Sequence, residues 1–423
     1  MKVRAVTLGC KVNAYESEYV LSEFKKKGYE IVDGISDIYI INTCSGTNMS
    51  DSKSRKVINK IIRENSSSII VVMGCMIEAH KDYENERVNI IIGNKDKSKV
   101  VELVEEYLKT RENKKLLYDD FDSSFEDMFI EEMSSHTRAY VKIQDGCEIF
   151  CSYCIIPYTR GRQRSKKKEI VLKEINTLVQ NGYQEVVLTG IHTGHYGSDI
   201  ETSFPELLTE ICKIDGLKRL RISSIEITEL NDEFLKVLKE NKKIVSHLHI
   251  PLQAGSDSVL KNMNRKYLTD YFYEKIKTIR RIRPDISITT DIIVGVPGET
   301  EENFLETLEF VKRIKFTKIH VFPYSRRKGT KADLMEEQVS DLVKKERVKR
   351  LIALSNKLEQ EYLDSFLNKT VEVLIETSED NKSIGHTENY LKVSVNEKIE
   401  SNKIIKVKIE KRNDFTLEGI IGE

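Results

Sequence analysis

The sequence predicts an α/β chain in three parts: a doubly wound parallel sheet, a partial (β/α)6 barrel and a small closed β-barrel. Three observations predict it. Over residues 1–110, short buried-type apolar runs alternate with charged segments of helical period. From residue 138, six strand-like runs recur with helical sequence between them. Beyond residue 367, helical periodicity gives way to short alternating strands.

In the first part, "VRAVTLG", "IYIINT" and "SIIVVMG" read as parallel strands buried on both faces, and "AYESEYVLSEFKKKG" and "SRKVINKIIREN" as the helices between them. Residues 111–137 lose the periodicity and gain acids and serines, so a linker is expected, partly disordered or draped over a neighbour. The barrel, expected over residues 138–366, opens with "AYVKIQ", a cysteine loop and the helix "KKKEIVLKEINTLVQNG". It continues through "EVVLTG", "RLRISS", "VSHLHIPLQ", "ISITTDIIVG" and "TKIHVFPY". Six units fall short of the eight of a complete barrel, which leaves an open side able to admit something large. A charged helical stretch from Glu336 to about Phe366 follows. The runs "TVEVLIET", "LKVSVN", "IIKVKIEK" and "TLEGIIG" then make a small barrel over residues 367–423.

Charge is balanced, 68 basic against 68 acidic residues, so any nucleic-acid contact must come from local patches. The start "MKVRAVTLGCKVN" is too short and polar for a signal peptide, and no apolar run reaches the length of a membrane span. Seven cysteines, an odd number without an export signal, argue against a disulfide framework. They favour reduced thiols that bind metal or react, in a cytoplasmic protein without a membrane.

The stretch "DGCEIFCSYCIIPY" holds Cys147, Cys151 and Cys154 just after the first barrel strand, at the face where such folds keep their chemistry. Three thiolates so spaced can wrap one face of a metal cluster, one ligand short of closure. The other reading is a zinc knuckle completed by a distant His or Cys. Cys10, Cys44 and Cys75 each directly follow a predicted parallel strand. The carboxyl ends of such strands share one edge, so the three can converge on a second cluster. Otherwise they are three small buried thiols. Cys212, inside "ELLTEICKIDG", has no partner and reads as core.

The CxxxCxxC spacing resembles the radical S-adenosylmethionine (SAM) enzymes. The resemblance implies a [4Fe–4S] cluster on Cys147, Cys151 and Cys154 whose fourth iron binds the amino and carboxylate groups of SAM, with Tyr153 near the adenine. Packing under the loop is the other role for Tyr153. Two three-cysteine sites in this order, with an α/β domain before the barrel and a β-rich tail, resemble the methylthiotransferases over essentially the whole chain. That resemblance implies an auxiliary [4Fe–4S] cluster on Cys10, Cys44 and Cys75, a TRAM RNA-binding tail, and two SAM molecules per turnover. A 5′-deoxyadenosyl radical would take a hydrogen from the substrate, and a flavodoxin- or ferredoxin-type donor would supply electrons.

"GCKVNAYESE" is similar to the group that methylthiolates C2 of N6-threonylcarbamoyladenosine in the tRNA anticodon stem-loop, where "GCKVNQYES" is usual, so Ala14 departs. "VKIQDGC", "LTGIHTGHYG", "HLHIPLQAGSD" and "HVFPYSRRKGT" also resemble that group, with Ala254 departing from the commoner "PLQSG". The alternatives are a ribosomal-protein aspartate, isopentenyladenosine in tRNA, or a non-enzymatic metal- or cluster-bearing RNA-binding protein.

Strand ends resembling the family's SAM contacts supply Gly190, Ser223, Glu226, Asp291 and Gly295, with Glu299 beyond. Glycine admits close backbone approach, and hydroxyl or carboxylate can hold ribose hydroxyls. Ordinary turns and a solvated Glu226 are the other reading. His192, His195, His247 and His249 suit core or substrate contact better than metal ligation. The basic runs "RGRQRSKKK" and "SRRKG" fall beside the chemistry, where they can grip RNA phosphates. "KKERVKR" reads as a solvated helix face.

Overall fold

In the computed structural model, which describes residues 1–118, 124–133 and 137–422, the first apolar runs form a six-stranded parallel sheet. Its strands are β1 (Lys2–Thr7), β2 (Glu30–Ile31), β3 (Ile38–Thr43), β4 (Ile69–Gly74), β5 (Ile90–Ile92) and β6 (Lys114–Leu116), in the order β2-β1-β3-β4-β5-β6. Every residue of β3 and β4 is buried, which is why these strands read as unbroken apolar runs. The order reverses between β1 and β3, where open α/β sheets place their ligands. Strand β6 lies in the segment expected to be linker, and pairs with β5 from Ile90↔Lys114. Of that segment, residues 119–123 and 134–136 lie outside the described residues. Met128 and Ile130 are buried in the core of the barrel that follows.

The second part begins with β7 (Ala139–Lys142) and a two-residue hairpin of β8 (Gln144–Asp145) and β9 (Arg164–Ser165) that closes the base of the cysteine loop. Then come β10 (Glu185–Thr189), β11 (Arg219–Ile222), β12 (His247–His249), β13 (Ser287–Val294) and β14 (Lys318–Pro323). Two parallel sheets, β11-β10-β7 and β12-β13-β14, meet through the bridge Leu220↔Ile244. Six parallel strands in chain order therefore make an open (β/α)6 barrel, the architecture that the six repeats predict. The helix Asp341–Asp364 packs along β14, and its Ser355 hydroxyl accepts a bond from the Ile319 amide at 3.1 Å.

The tail closes as β15 (Thr370–Glu379), β16 (Lys382–Thr387), β17 (Lys392–Val395), β18 (Ile404–Asn413) and β19 (Thr416–Ile421), in the order β15-β16-β17-β19-β18. It has its own core around Val373, Val393, Val407 and Leu417. Arg219 and Arg221 at the start of β11 bind its carbonyls, Glu372 O at 2.9 Å and Glu388 O at 3.1 Å. The small barrel thus sits at the amino ends of the large one. Among the described residues, no helix is long and apolar enough to cross a membrane.

Phe272 is fully buried among the rings of Tyr267, Phe310 and Phe316, at centroid distances of 5.8, 6.2 and 6.0 Å. Phe272→Ala should cost about 3–5 kcal/mol of stability. A lowered urea midpoint at unchanged slope would report it.

Candidate active site

Each strand-end cysteine is placed by the turn that holds it. Gly9 has φ 101°, and a Cβ there would lie 2.8 Å from Cys44 Cβ and 2.9 Å from its Sγ. Only glycine lets the chain after β1 pass so close over the cysteine after β3. Asn13 ties the two turns, donating to Leu8 O at 2.7 Å and Thr43 O at 3.0 Å. Cys75 opens the helix Cys75–Ala79 directly after β4, and Asn94 donates to its Sγ at 3.4 Å. The Cys10 and Cys44 thiols each lie within electrostatic reach of Cys75. Cys10 keeps exposed area while standing deep among protein atoms, as at the wall of an internal cleft.

Beside this triad lies a dry ion cluster. Glu16, five residues after Lys11 on the helix Lys11–Lys26, is fully buried. It accepts from Arg160 at 2.6 Å, from Lys142 at 2.8 Å and from Lys97. Asp145 joins through Lys142 at 2.7 Å and Arg160 at 3.2 Å. Burial alone would raise the Glu16 carboxyl, yet Arg160, Lys142 and Lys97 hold it well below the usual range. With Arg164, 3.4 Å from Asp145, four cations face two carboxylates here, and Arg160 and Lys97 also feel Cys75. An anionic thiolate-ligated cluster at Cys10, Cys44 and Cys75 would take up that surplus, so the surroundings fit such a group.

The second triad rides on the loop between β8 and β9. Gly146 has φ 76° and touches the Arg162 carbonyl so closely that no side chain fits. Bonds from Cys147 N to Gly161 O at 3.1 Å and from Asn264 Nδ2 to Phe150 O at 3.0 Å hold the loop's shape. The three thiols lie within electrostatic reach of one another, and burial pushes Cys154 up to about 12. Arg265 donates to Cys151 Sγ at 3.2 Å while paired with Glu226. His192 lies within electrostatic reach of the Cys147 thiol and 2.5 Å from Glu229, poorly aligned for a hydrogen bond. Against the effect of burial, Cys147 and Glu229 raise its imidazole to about 10. Three converging sulfurs with one guanidinium and one imidazolium fit a thiolate-ligated cluster here too.

A half-open cavity of about 800 Å³ lies between the barrel strands, the helix Asp341–Asp364 and the tail barrel. Gly9 and Lys11 enter it from the first domain, and Ser223, His249, Asp291 and His320 face it from strands or strand ends. Burial lowers His247 and His320, so both rings are neutral at pH 7. Of the residues expected at the cosubstrate, Ser223 and Asp291 line this lumen. Glu226 is engaged by Arg265, and Tyr153 packs against the barrel core beneath the loop. Gly190 is where Gln144 crosses, since a Cβ would come within 2.9 Å of its Oε1. Gly295 instead faces Lys344, and its amide binds Glu299, which Arg347 holds at 2.8 Å. That turn is locked to the helix Asp341–Asp364. Cys212 is buried in the barrel core.

The basic runs differ from expectation. Arg160, Arg164 and Lys166 of "RGRQRSKKK" are buried, leaving Arg162 and Lys167 exposed. Arg327 of "SRRKG" is also buried, bound to Asp51 at 2.8 Å and Ser45 at 2.7 Å. These are counter-ions inside the protein, not an RNA grip. Even "KKERVKR" turns Arg347 inward. The sequence reading passed over Glu16, Lys11 and Arg265, although two of them stand within six residues of Cys10.

Residues 2–93 match the uncharacterized protein family UPF0004, residues 141–311 the radical SAM superfamily and residues 364–421 the TRAM domain. A threonylcarbamoyladenosine tRNA methylthiotransferase, MtaB, of Bacillus subtilis (strain 168) is 44% identical over 96% of this chain and 93% of its own length. That of Aquifex aeolicus is 37% identical, over 97% and 100%. A tRNA-2-methylthio-N(6)-dimethylallyladenosine synthase of a Thermoanaerobacter species is 36% identical, over 99% and 92%. Among solved structures, the radical SAM methyltransferase TsrM of Kitasatospora setae shares the fold, with a TM-score of 0.57 at 12% identity over 76% of this chain and 74% of that one.

Glu16→Gln should destabilise the protein by about 3–5 kcal/mol, because it leaves buried cations without their carboxylate. The Glu16 contribution is present in full above the ordinary glutamate pKa of 4.5 and fades as pH falls below it. Urea midpoints measured between pH 5 and pH 3 should therefore fall less steeply in the variant.

Proposed function

Because this chain belongs to the radical SAM tRNA methylthiotransferases, we propose that it methylthiolates C2 of N6-threonylcarbamoyladenosine beside the anticodon. It is a transferase of sulfur-containing groups, and its family uses a [4Fe–4S] cluster with SAM. Cys147, Cys151 and Cys154 hold that cluster, and Cys10, Cys44 and Cys75 hold an auxiliary one. Bound together, these groups supply reductive SAM cleavage and sulfur for insertion, at two SAM molecules per turnover. Electrons come from a flavodoxin- or ferredoxin-type donor, and the setting is the cytoplasm, where tRNA is.

The chain's own residues bind, orient and enclose. Arg265 orients Cys151 and offsets its charge, and Ser223 and Asp291 offer acceptors to ribose hydroxyls in the lumen. The six strands and the first domain keep bulk water from the reacting carbon. The tail barrel carries the RNA, whose anticodon loop presents the unstacked base. The substrate choice is carried by the relatives of this chain, and the strand-borne histidines, Asp291, Thr289 and Lys11 give the otherwise mixed lumen polar groups that a dimethylallyl substituent, named for the 36% relative, would not use. The 44% relative and the "GCKVN" motif support the same choice.

Mass spectrometry of tRNA nucleosides from cells with and without the gene tests it. Loss of 2-methylthio-N6-threonylcarbamoyladenosine with accumulation of its unthiolated parent is expected, and unchanged tRNA overturns the proposal. For the two triads, Cys10→Ala and Cys151→Ala should each retain about half the wild-type iron after anaerobic purification. Loss of all iron from both variants would mean the sites do not load independently.

A further inference from the structure

The substrate proposed above ends in a carboxylate, and the lumen holds two cations without an ion pair among the described residues: Lys392, exposed on the tail barrel, and Lys11, half-buried beside the strand-end cysteines. We propose that Lys11 selects this substrate, its ammonium receiving the carboxylate of the threonyl group. The inference rests on the preceding reading of the substrate and adds the residue that would enforce it.

Lys11 follows the Cys10 turn and begins the helix Lys11–Lys26 at the edge where β1 and β3 diverge. Its side chain lines the lumen with Ser223, His249 and Asp291, and also an adjoining crevice with Arg138 and Arg221. Apart from the exposed Lys392, the other cations there are already paired. Arg221 binds Glu185 at 2.6 Å, Arg138 binds Glu376 at 3.0 Å, and Lys318 binds Glu359 at 3.1 Å. Among the described residues, no carboxylate lies within ion-pair reach of Lys11. Asp291, the carboxylate facing the same space, sits 3.3 Å from His249 Nε2.

An unpaired, half-buried ammonium loses hydration when a ligand covers it, which is unfavourable unless the ligand brings an anion. A threonylcarbamoyl group brings one, together with a hydroxyl and a urea that the rings of His249 and His320, 5.7 Å apart, can meet. A dimethylallyl group brings neither, and would leave Lys11 buried against hydrocarbon. Rejection of an analogue that leaves a buried polar group unpaired is a strong form of discrimination. The methionyl carboxylate of SAM has the same chemistry, so the test separates the two sources.

Full-length reconstituted enzyme is assayed on anticodon stem-loops bearing threonylcarbamoyladenosine, its carboxamide analogue or dimethylallyladenosine, with rates scored per iron-loaded enzyme. The wild type should favour the acid over the carboxamide by about 10²-fold in kcat/KM. Lys11→Met should lower the acid rate by a similar factor and bring the acid-to-carboxamide ratio close to one, and Lys11→Arg should restore part of it. Three results overturn the proposal: no wild-type preference for the acid, an equal loss on both loops in Lys11→Met, or a raised KM for SAM with either loop. The wild-type preference needs no variant, so it decides even if Lys11→Met fails to load iron. Turnover of the dimethylallyl loop alone would instead sink the substrate reading itself.

Discussion

The architecture depends on one buried carboxylate. Glu16 is fully buried, where an isolated charge would be prohibitive. It is tolerable because three cations converge on it from three separate segments. Lys97 follows β5 of the first sheet, Lys142 ends β7 of the barrel, and Arg160 ends the cysteine loop. Neutralising Glu16 therefore requires the first domain, the barrel and the loop to be docked together. Buried ion groups are weak sources of net stability and better understood as devices of specificity. Here what they specify is the relation between two cysteine triads that, among the described residues, no strand pairing connects.

The same device recurs at the open side of the barrel. Asp51 accepts from Arg327 at 2.8 Å and from His80 at 2.9 Å, and Ser325 accepts from the Asn48 amide at 2.9 Å. The loop after β14 is thereby pinned to the domain that carries Cys44. Glycines at residues 9 and 146 finish the arrangement, because the close approaches there leave no room for a Cβ. Between these fixed points the strands alternate, so His247 and His249, then Thr289 and Asp291, fall on the inward face. The strand side of the lumen is polar as a direct result, while the tail barrel brings Tyr390, Leu391 and Phe415 to it.

Most of this was legible in the chain, for identifiable reasons. Strands β3 and β4 are apolar runs because both faces are buried, and the three cysteines after β1, β3 and β4 share an edge because parallel strands share a direction. Strand β16, "KSIGHT", was invisible: Ile384 is its one large apolar residue, and Gly385 serves a close crossing under Leu374. Strand β6 was read as linker because "KKL" has no period to detect. The buried arginines were misread for a deeper reason. A basic run signals a solvated face unless its counter-ions are known, and those of Arg160 lie 144 and 15 residues away in sequence. Arg265 meets Glu226 across 39 residues in the same way.

Those arginines also distinguish the two triads. Each has one guanidinium beside it, and a guanidinium keeps its charge where a lysine in the same dry setting would lose it more readily. Burial lowers Lys97 in this network while Arg160 stays firmly charged. At the loop triad, Arg265 is matched one to one by Glu226, and His192 by Glu229. At the strand-end triad, four cations, Lys97, Lys142, Arg160 and Arg164, face the two carboxylates Glu16 and Asp145. The same three-sulfur donor set thus meets balanced surroundings in one place and positive surroundings in the other. Second-shell charge of this kind tunes what a metal group with identical ligands will do. An anion gains more at Cys10, Cys44 and Cys75, so the fold itself gives two sites of one chemistry different electrostatic characters.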